Sequence, residues 1–174
     1  MVSLFIMCLA SNIGFGQSYS VFGQDQNQDV SKYDIGNIPR TIDRIQCDGV
    51  EHLAFHNHTK LVIKIQNETV GIPDGIGIIP NSCIFWLHTH DGSGIIHIES
   101  PIEQSFTLGQ FLNMWKEFDS SSYPRDLSAV SSSNKVNITV DGTAIETSSA
   151  DFNKIVLKDN SIVSIGISGN ETTR

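Results

Sequence analysis

The sequence is poor in the features that usually announce an activity. It has no Gly-x-Ser-x-Gly elbow for a serine nucleophile, no glycine-rich phosphate loop and no Cys-x-x-Cys pair. Positive charge is scarce: 11 Lys and Arg stand against 19 Asp and Glu, the net charge is −8, and no basic residue precedes Lys32. That balance argues against nucleic acid or an anionic membrane surface as the partner. Long apolar runs are missing too. Val2 to Ala10, the one apolar stretch near the start, is too short to cross a bilayer as a helix. At 174 residues and 39% hydrophobic, the chain suits one globular domain with an ordinary core.

Val2 to Ala10 has the length and apolarity of a signal-peptide core, so residues 1–17 are expected to be an export signal or a hydrophobic N-terminal segment. No positive residue precedes the run. Alternatives are a buried N-terminal element, or a lipid anchor at Cys8 behind the weak lipobox Phe5-Ile6-Met7. Residues 18–34 are polar and read as a flexible lead-in to a single β-rich domain over 35–174. Four Asn-x-Ser/Thr sequons, at Asn57, Asn67, Asn137 and Asn170, are candidate glycosylation sites and fit a secreted or cell-surface location. The mature chain would then have no transmembrane anchor and would keep two cysteines, Cys47 and Cys83. A disulfide between them is expected outside the cell, and the competing reading makes them thiolate ligands beside the histidines.

From Ile35 onward the pattern is that of a β protein. Leu61 to Ile65 alternates and is β-branched, a turn is expected at Asn67-Glu68, and another at Pro73-Asp74-Gly75. Cys83 to His90 and Ile95 to Glu99 read as a strand pair. Later strands are expected over Lys135 to Val140, Thr143 to Glu146, Lys154 to Leu157 and Ser161 to Ile167, with turns at Asp141-Gly142 and Asp159-Asn160. One amphipathic helix is predicted over 107–118, where Leu108, Phe111, Leu112, Trp115 and Phe118 share a stripe. Thr107 is its expected N-cap, with Gln110 completing a capping box. The Ser-rich stretch 120–133 reads as a loop. The expected fold is therefore a mainly antiparallel, sandwich-like β domain with one packed helix.

Chemistry concentrates in the histidines, all six of which fall between His52 and His97. With the turn at Asp91-Gly92-Ser93-Gly94, hairpin pairing places His90 opposite Ile95, His88 opposite His97 and Trp86 opposite Glu99. Directly opposed Cβ atoms lie about 4.5–5.5 Å apart, so His88, His90, His97 and Glu99 converge on one face. Three imidazoles and a carboxylate at that spacing suit Zn²⁺ or Cu²⁺, which want three or four N/O ligands about 2.0–2.2 Å away. His56 and His58 share one side of their strand with Lys60 and Lys64, opposite Leu61, Ile63 and Ile65. That side faces either solvent or the hairpin's histidines, so His56 and His58 are conditional ligands. Asp91 reads equally as a turn former or a ligand, and Glu99 as a ligand or a carboxylate that orients an imidazole. His52 stays in the background.

The wording of this region resembles a family of small exported proteins of archaea and some bacteria. The segments that carry the likeness are His56-x-His58, the run Trp86-Leu-His-Thr-His-Asp-Gly-Ser-Gly-Ile-Ile-His-Ile-Glu-Ser-Pro101 and Thr107-Leu-Gly-Gln-Phe111. It spans roughly Cys47 to Trp115, implies export, and brings no reaction with it. His88-Thr89-His90-Asp91 followed by Ser100-x-x-Glu103 is also similar to the signature of JAMM-type zinc proteases. Asp91 replaces the Pro of that signature, Glu103 replaces its Asp ligand, and Pro101 interrupts the segment between. A cupin would need a Glu three or four residues after His-x-His, and none is there.

The expectation is an exported protein that binds copper or zinc through the histidine hairpin, with the metal ion as its partner. The alternatives are a metal-dependent hydrolase or oxidase with an open coordination position, and a cell-surface structural or interaction module.

Overall fold

The computed structural model describes residues 38–128, 135–145 and 151–168. The expected export signal, the polar lead-in and the sequon at Asn170 lie outside the described residues. The elements in chain order are β1 (Thr41–Ile42), β2 (Ile45–Asp48), β3 (Phe55–Ile65), β4 (Glu68–Val70), β5 (Ile78–Ile79), β6 (Cys83–Phe85), β7 (Leu87–His88), β8 (Ile95–Ser100), α1 (Leu108–Phe118), α2 (Arg125–Ser128), β9 (Lys135–Val140), β10 (Thr143–Ala144) and β11 (Ser161–Ser168). A 3-10 turn at Phe152–Lys154 precedes β11.

The fold is mainly β, with two sheets and one packed helix among the described residues. The larger sheet runs β10-β9-β11-β3-β8-β7, and the smaller runs β1-β2-β6-β5. In the centre of the large sheet, β3 and β11 lie parallel, pairing Leu61 with Val163 and Ile63 with Ile165. All four of these side chains are buried. This parallel pair is the exception in a mainly antiparallel fold: the chain leaves β3 and returns to its neighbouring edge only after α1, β9 and β10, a crossover long enough to preserve strand direction. The other edge of β3 is shared. Residues 55–60 pair with β8 and residues 63–65 pair with β4.

The turns follow from residue chemistry. Gln66 and Asn67 both have positive φ and form a two-residue loop between β3 and β4, one residue earlier than the expected Asn67-Glu68 turn. Asp141 and Gly142 do the same between β9 and β10. Both match the hairpin loops whose backbone twist agrees with that of the strands. Thr107 caps α1 as expected, its side chain accepting from Gln110 N while Gln110 returns the bond to the Thr107 backbone. The stripe of α1 is buried, with Phe118 edge-on to Phe85 at 5.6 Å.

Two expected strands differ. Cys83 to His90 is not one strand: it bends at Trp86, so β6 belongs to the small sheet and β7 to the large one. Lys154 to Leu157 is not a strand either. Lys154 closes the 3-10 turn, whose N-cap Asp151 holds Asn153 N, and Val156 makes only a single bridge to Thr107. Within the expected Ser-rich loop, Arg125–Ser128 forms a short helical turn. Cys47 and Cys83 are joined by a disulfide across β2 and β6, with Cα atoms 5.4 Å apart. They are therefore unavailable as thiolate ligands.

Candidate metal centre

Three adjacent strands carry His56, His58, His88 and His97; His90 lies in the bend beyond β7, and Ile95, its expected partner, pairs with Lys60 instead. In β7–β8, Leu87 pairs with Ile98 and His88 with His97, the register expected from the hairpin. On the other side of β8, β3 pairs His58 with His97 and His56 with Glu99. The side of β3 that bears His56 and His58 thus neither covers the hairpin nor stands apart from it. It extends the same face by one strand. Leu87, Ile96 and Ile98 fill the opposite face and are fully buried.

The backbone around His88 is locked from outside the sheet. Gly75 N donates to Thr89 O, Thr89 N to Ile76 O, and Phe85 N to Gly77 O. Thr89 Oγ1 adds a bond to Pro73 O. Gly77 has φ +79, and a Cβ there would stand 2.3 Å from Leu87 O and 3.0 Å from His88 Cβ. Only glycine combines that conformation with that approach. Gly94 (φ +81) plays a matching part at the start of β8, where its carbonyl accepts from Leu61 N.

His88 is completely buried. Its Nδ1 lies 2.9 Å from Phe85 O, and since a carbonyl only accepts, Nδ1 carries the proton. Nε2 therefore presents its lone pair to the cluster, 3.2 Å from His90 Nε2 and 3.9 Å from Glu99 Oε1. Burial pushes the His88 imidazole down to about 3, so it is neutral at physiological pH. His90 is also held below the usual imidazole range, first by burial and then by His97. His58 is lowered in the same way, by burial and then by His97 and His56. Its Nε2 sits 3.1 Å from His97 Nδ1.

Glu99 lies among these rings and is buried. Its Oε1 is 3.3 Å from His56 Nε2, 3.6 Å from His97 Nδ1 and 3.9 Å from His88 Nε2. Its Oε2 is buried with no hydrogen-bond partner among the described residues. Burial pushes the Glu99 carboxyl up, but the bond to His97 and the fields of His88, His56 and His97 outweigh it, and the group stays below its usual range. The carboxylate is therefore ionised. Its ion-pairing partners among the described residues are all imidazoles.

His88, His90, His97 and Glu99 offer ligand atoms within 4.8 Å of one another, and so do His56, His58 and His97. These six side chains could hold a metal ion. The other candidates go elsewhere. His52 Nε2 sits 2.7 Å from Asp48 Oδ2, which also accepts from Trp86 Nε1, so His52 belongs to a buttress behind the hairpin. Asp91 is exposed, and its Oδ1 accepts from Ser93 N, a turn-forming role. Asn67 and Asn137 are exposed, whereas Asn57 is half-buried within β3. Sequence reasoning did not place Glu51 beside the hairpin, where its Oε1 comes within 3.8 Å of His90 Nε2. It lies in an irregular loop without periodicity, and no signal could have placed it.

The cluster is closed on the His88 and Glu99 side and open at His90 and His56, whose side chains are 44% and 37% exposed. Two cavities of about 400 and 270 Å³ lie against α1, both reaching Asn113 and Lys116, and include no histidine. No helix among the described residues is long and apolar enough to cross a membrane. Compared with known families, curated proteins and solved structures, the chain matches none.

Proposed function

We propose that this is an exported protein that binds a divalent transition ion, copper or zinc, through His88, His90, His97 and Glu99. One observation carries the metal: Glu99 is a buried, ionised carboxylate with an unpartnered oxygen, surrounded by imidazoles of which His58, His88 and His90 are held neutral. The histidines hold the carboxyl ionised, and an anionic oxygen pair among imidazole nitrogens, with one oxygen still unused, is a donor set that a dipositive ion completes. The same histidines, as neutral rings with a lone pair to give, are in the state that a metal requires. The 3.2 Å separation of His88 Nε2 and His90 Nε2 is close to the tetrahedral edge of about 3.3 Å that follows from bonds of 2.0–2.1 Å.

Export is supported by the apolar run from Val2 to Ala10, the sequons, and a disulfide of a kind that persists outside the reducing cytosol. The likeness to small exported archaeal and bacterial proteins belongs to the same reading. Imidazole and carboxylate ligands serve copper and zinc alike.

Metal analysis of tag-free protein, before and after a chelator, tests the proposal. The expected result is tightly bound copper or zinc near stoichiometry, lost in His88→Ala combined with His97→Ala. Less than roughly a tenth of an equivalent in protein reconstituted with either ion would overturn it. The exposure of His90 and His56 favours a second reading, a metal-dependent enzyme whose ion keeps a position open for water. A shift of the bound copper spectrum on adding azide would support that reading, and an unmoved spectrum would remove it.

A further inference from the structure

We propose that the histidine face holds two divalent transition ions, the second bound by His56, His58 and His97, with His97 and Glu99 lying between the two. This rests on the hairpin site above and goes beyond it in number and in ligands.

The face contains two close nitrogen pairs rather than one. His88 Nε2 and His90 Nε2 are 3.2 Å apart on one side, and His58 Nε2 and His97 Nδ1 are 3.1 Å apart on the other. Each pair matches one edge of a tetrahedral polyhedron. A single ion cannot take both. The ligand atoms that lie within 4.8 Å of one another form two sets, His88, His90, His97 and Glu99 on one side and His56, His58 and His97 on the other, and the sets share His97 alone. Nitrogens bonded to one ion at 2.0–2.1 Å can be no more than about 4.2 Å from each other.

The middle residues suit a shared role. An imidazole has nitrogens on two edges of its ring: the Nδ1 of His97 faces His58, and the ring itself lies 4.5 Å, centroid to centroid, from that of His90. Glu99 approaches nitrogens of both groups through Oε1, and its Oε2 has no hydrogen-bond partner among the described residues. A carboxylate between two cations uses both oxygens. The bland alternative makes His58 and His97 a simple ring-to-ring hydrogen bond on a half-exposed surface. That accounts for one proton between two nitrogens but leaves the third ring of the group, His56, whose polar contact is Glu99 Oε1, with no role of its own. The ions suited to this nitrogen-rich pair are borderline ones, Cu²⁺ and Zn²⁺ among them.

The test uses the full tag-free chain, stripped by a chelator and titrated with Cu²⁺, with bound metal counted after gel filtration. Two ions per chain are expected. His56→Ala with His58→Ala, both at the solvent-facing part of β3, should reduce the count to one while leaving the circular dichroism spectrum unchanged. His97→Ala should weaken both ions. One ion in the parent protein would overturn the second site and leave the hairpin site standing. Two ions retained in either variant would also overturn it. No bound ion in the parent would overturn both proposals together.

Discussion

Glu99 is the residue on which the electrostatics of the face turn, because it is buried and charged among rings that are mostly neutral. Its replacement by Gln keeps the shape and removes the charge. Glu99→Gln is expected to weaken metal binding by roughly 10–100-fold, the effect typical of losing such a carboxylate. The same change should lower the stability of the metal-free fold at neutral pH, since the folded environment favours the ionised carboxyl. A competition titration and a urea midpoint read the two effects separately. His88 sets the acid limit of the fold. Its folded-state pKa is lowered from 6.5 to about 3, so between those values the unfolded chain binds more protons than the folded one. Stability is then fully present above about pH 6.5 and falls as the pH drops toward 3. Glu99, also lowered when folded, acts in the same direction at the acid end. Urea midpoints of metal-free protein across that range should fall steadily, and His88→Gln should flatten the slope. A parent midpoint that stays level from pH 7 to pH 4 would contradict the buried neutral imidazole.

At the level of elements, β7 owes its position to the segment 73–77 as much as to β8. Gly77→Ala would force a Cβ against Leu87 O in a backbone region that side chains rarely adopt. The expected cost is about 2–3 kcal/mol, with reduced metal binding because His88 moves with its strand. Thermal denaturation and metal analysis of the variant would check both. How far these elements could be read from sequence depended on how local their causes are. The α1 helix, its Thr107–Gln110 capping box, β9 and the His88–His97 register all follow from short-range spacing, and each was legible. The bend at Trp86 was not. It arises because β6 is held by β2 and β5 while β7 is held by β8, and such competition between sheets leaves no trace in a strand's own alternation. The parallel pairing of β3 with β11 was hidden for a similar reason, since it joins segments a hundred residues apart. Parity placed His56 and His58 on the right side of β3, but whether that side met the hairpin depended on the sheet order.

For the molecule as a whole, stability is tied to two clamps on either side of Trp86. The Cys47–Cys83 disulfide closes a loop of sequence separation 36 in the small sheet. Its removal by Cys47→Ser with Cys83→Ser should cost about 3–4 kcal/mol from loop entropy, read as a lower urea midpoint. Metal acts on the large sheet. An ion present at a hundred times its dissociation constant adds about 2.7 kcal/mol, which for a chain of this size raises Tm by roughly 5–10 °C. An unchanged Tm with copper or zinc in excess would mean that the folded chain binds neither. The outer margin of β7 has a consequence for behaviour at high concentration. A strand at the rim of a sheet ordinarily offers free amide and carbonyl groups to any extended chain that passes. Here the rim next to the imidazoles is already occupied by the Pro73–Gly77 segment, through Gly75, Ile76 and Gly77. Crowded copies of this protein can meet over an ion at their exposed histidines, but they cannot be stitched together there by strand addition, so such clusters should dissolve when a chelator is added.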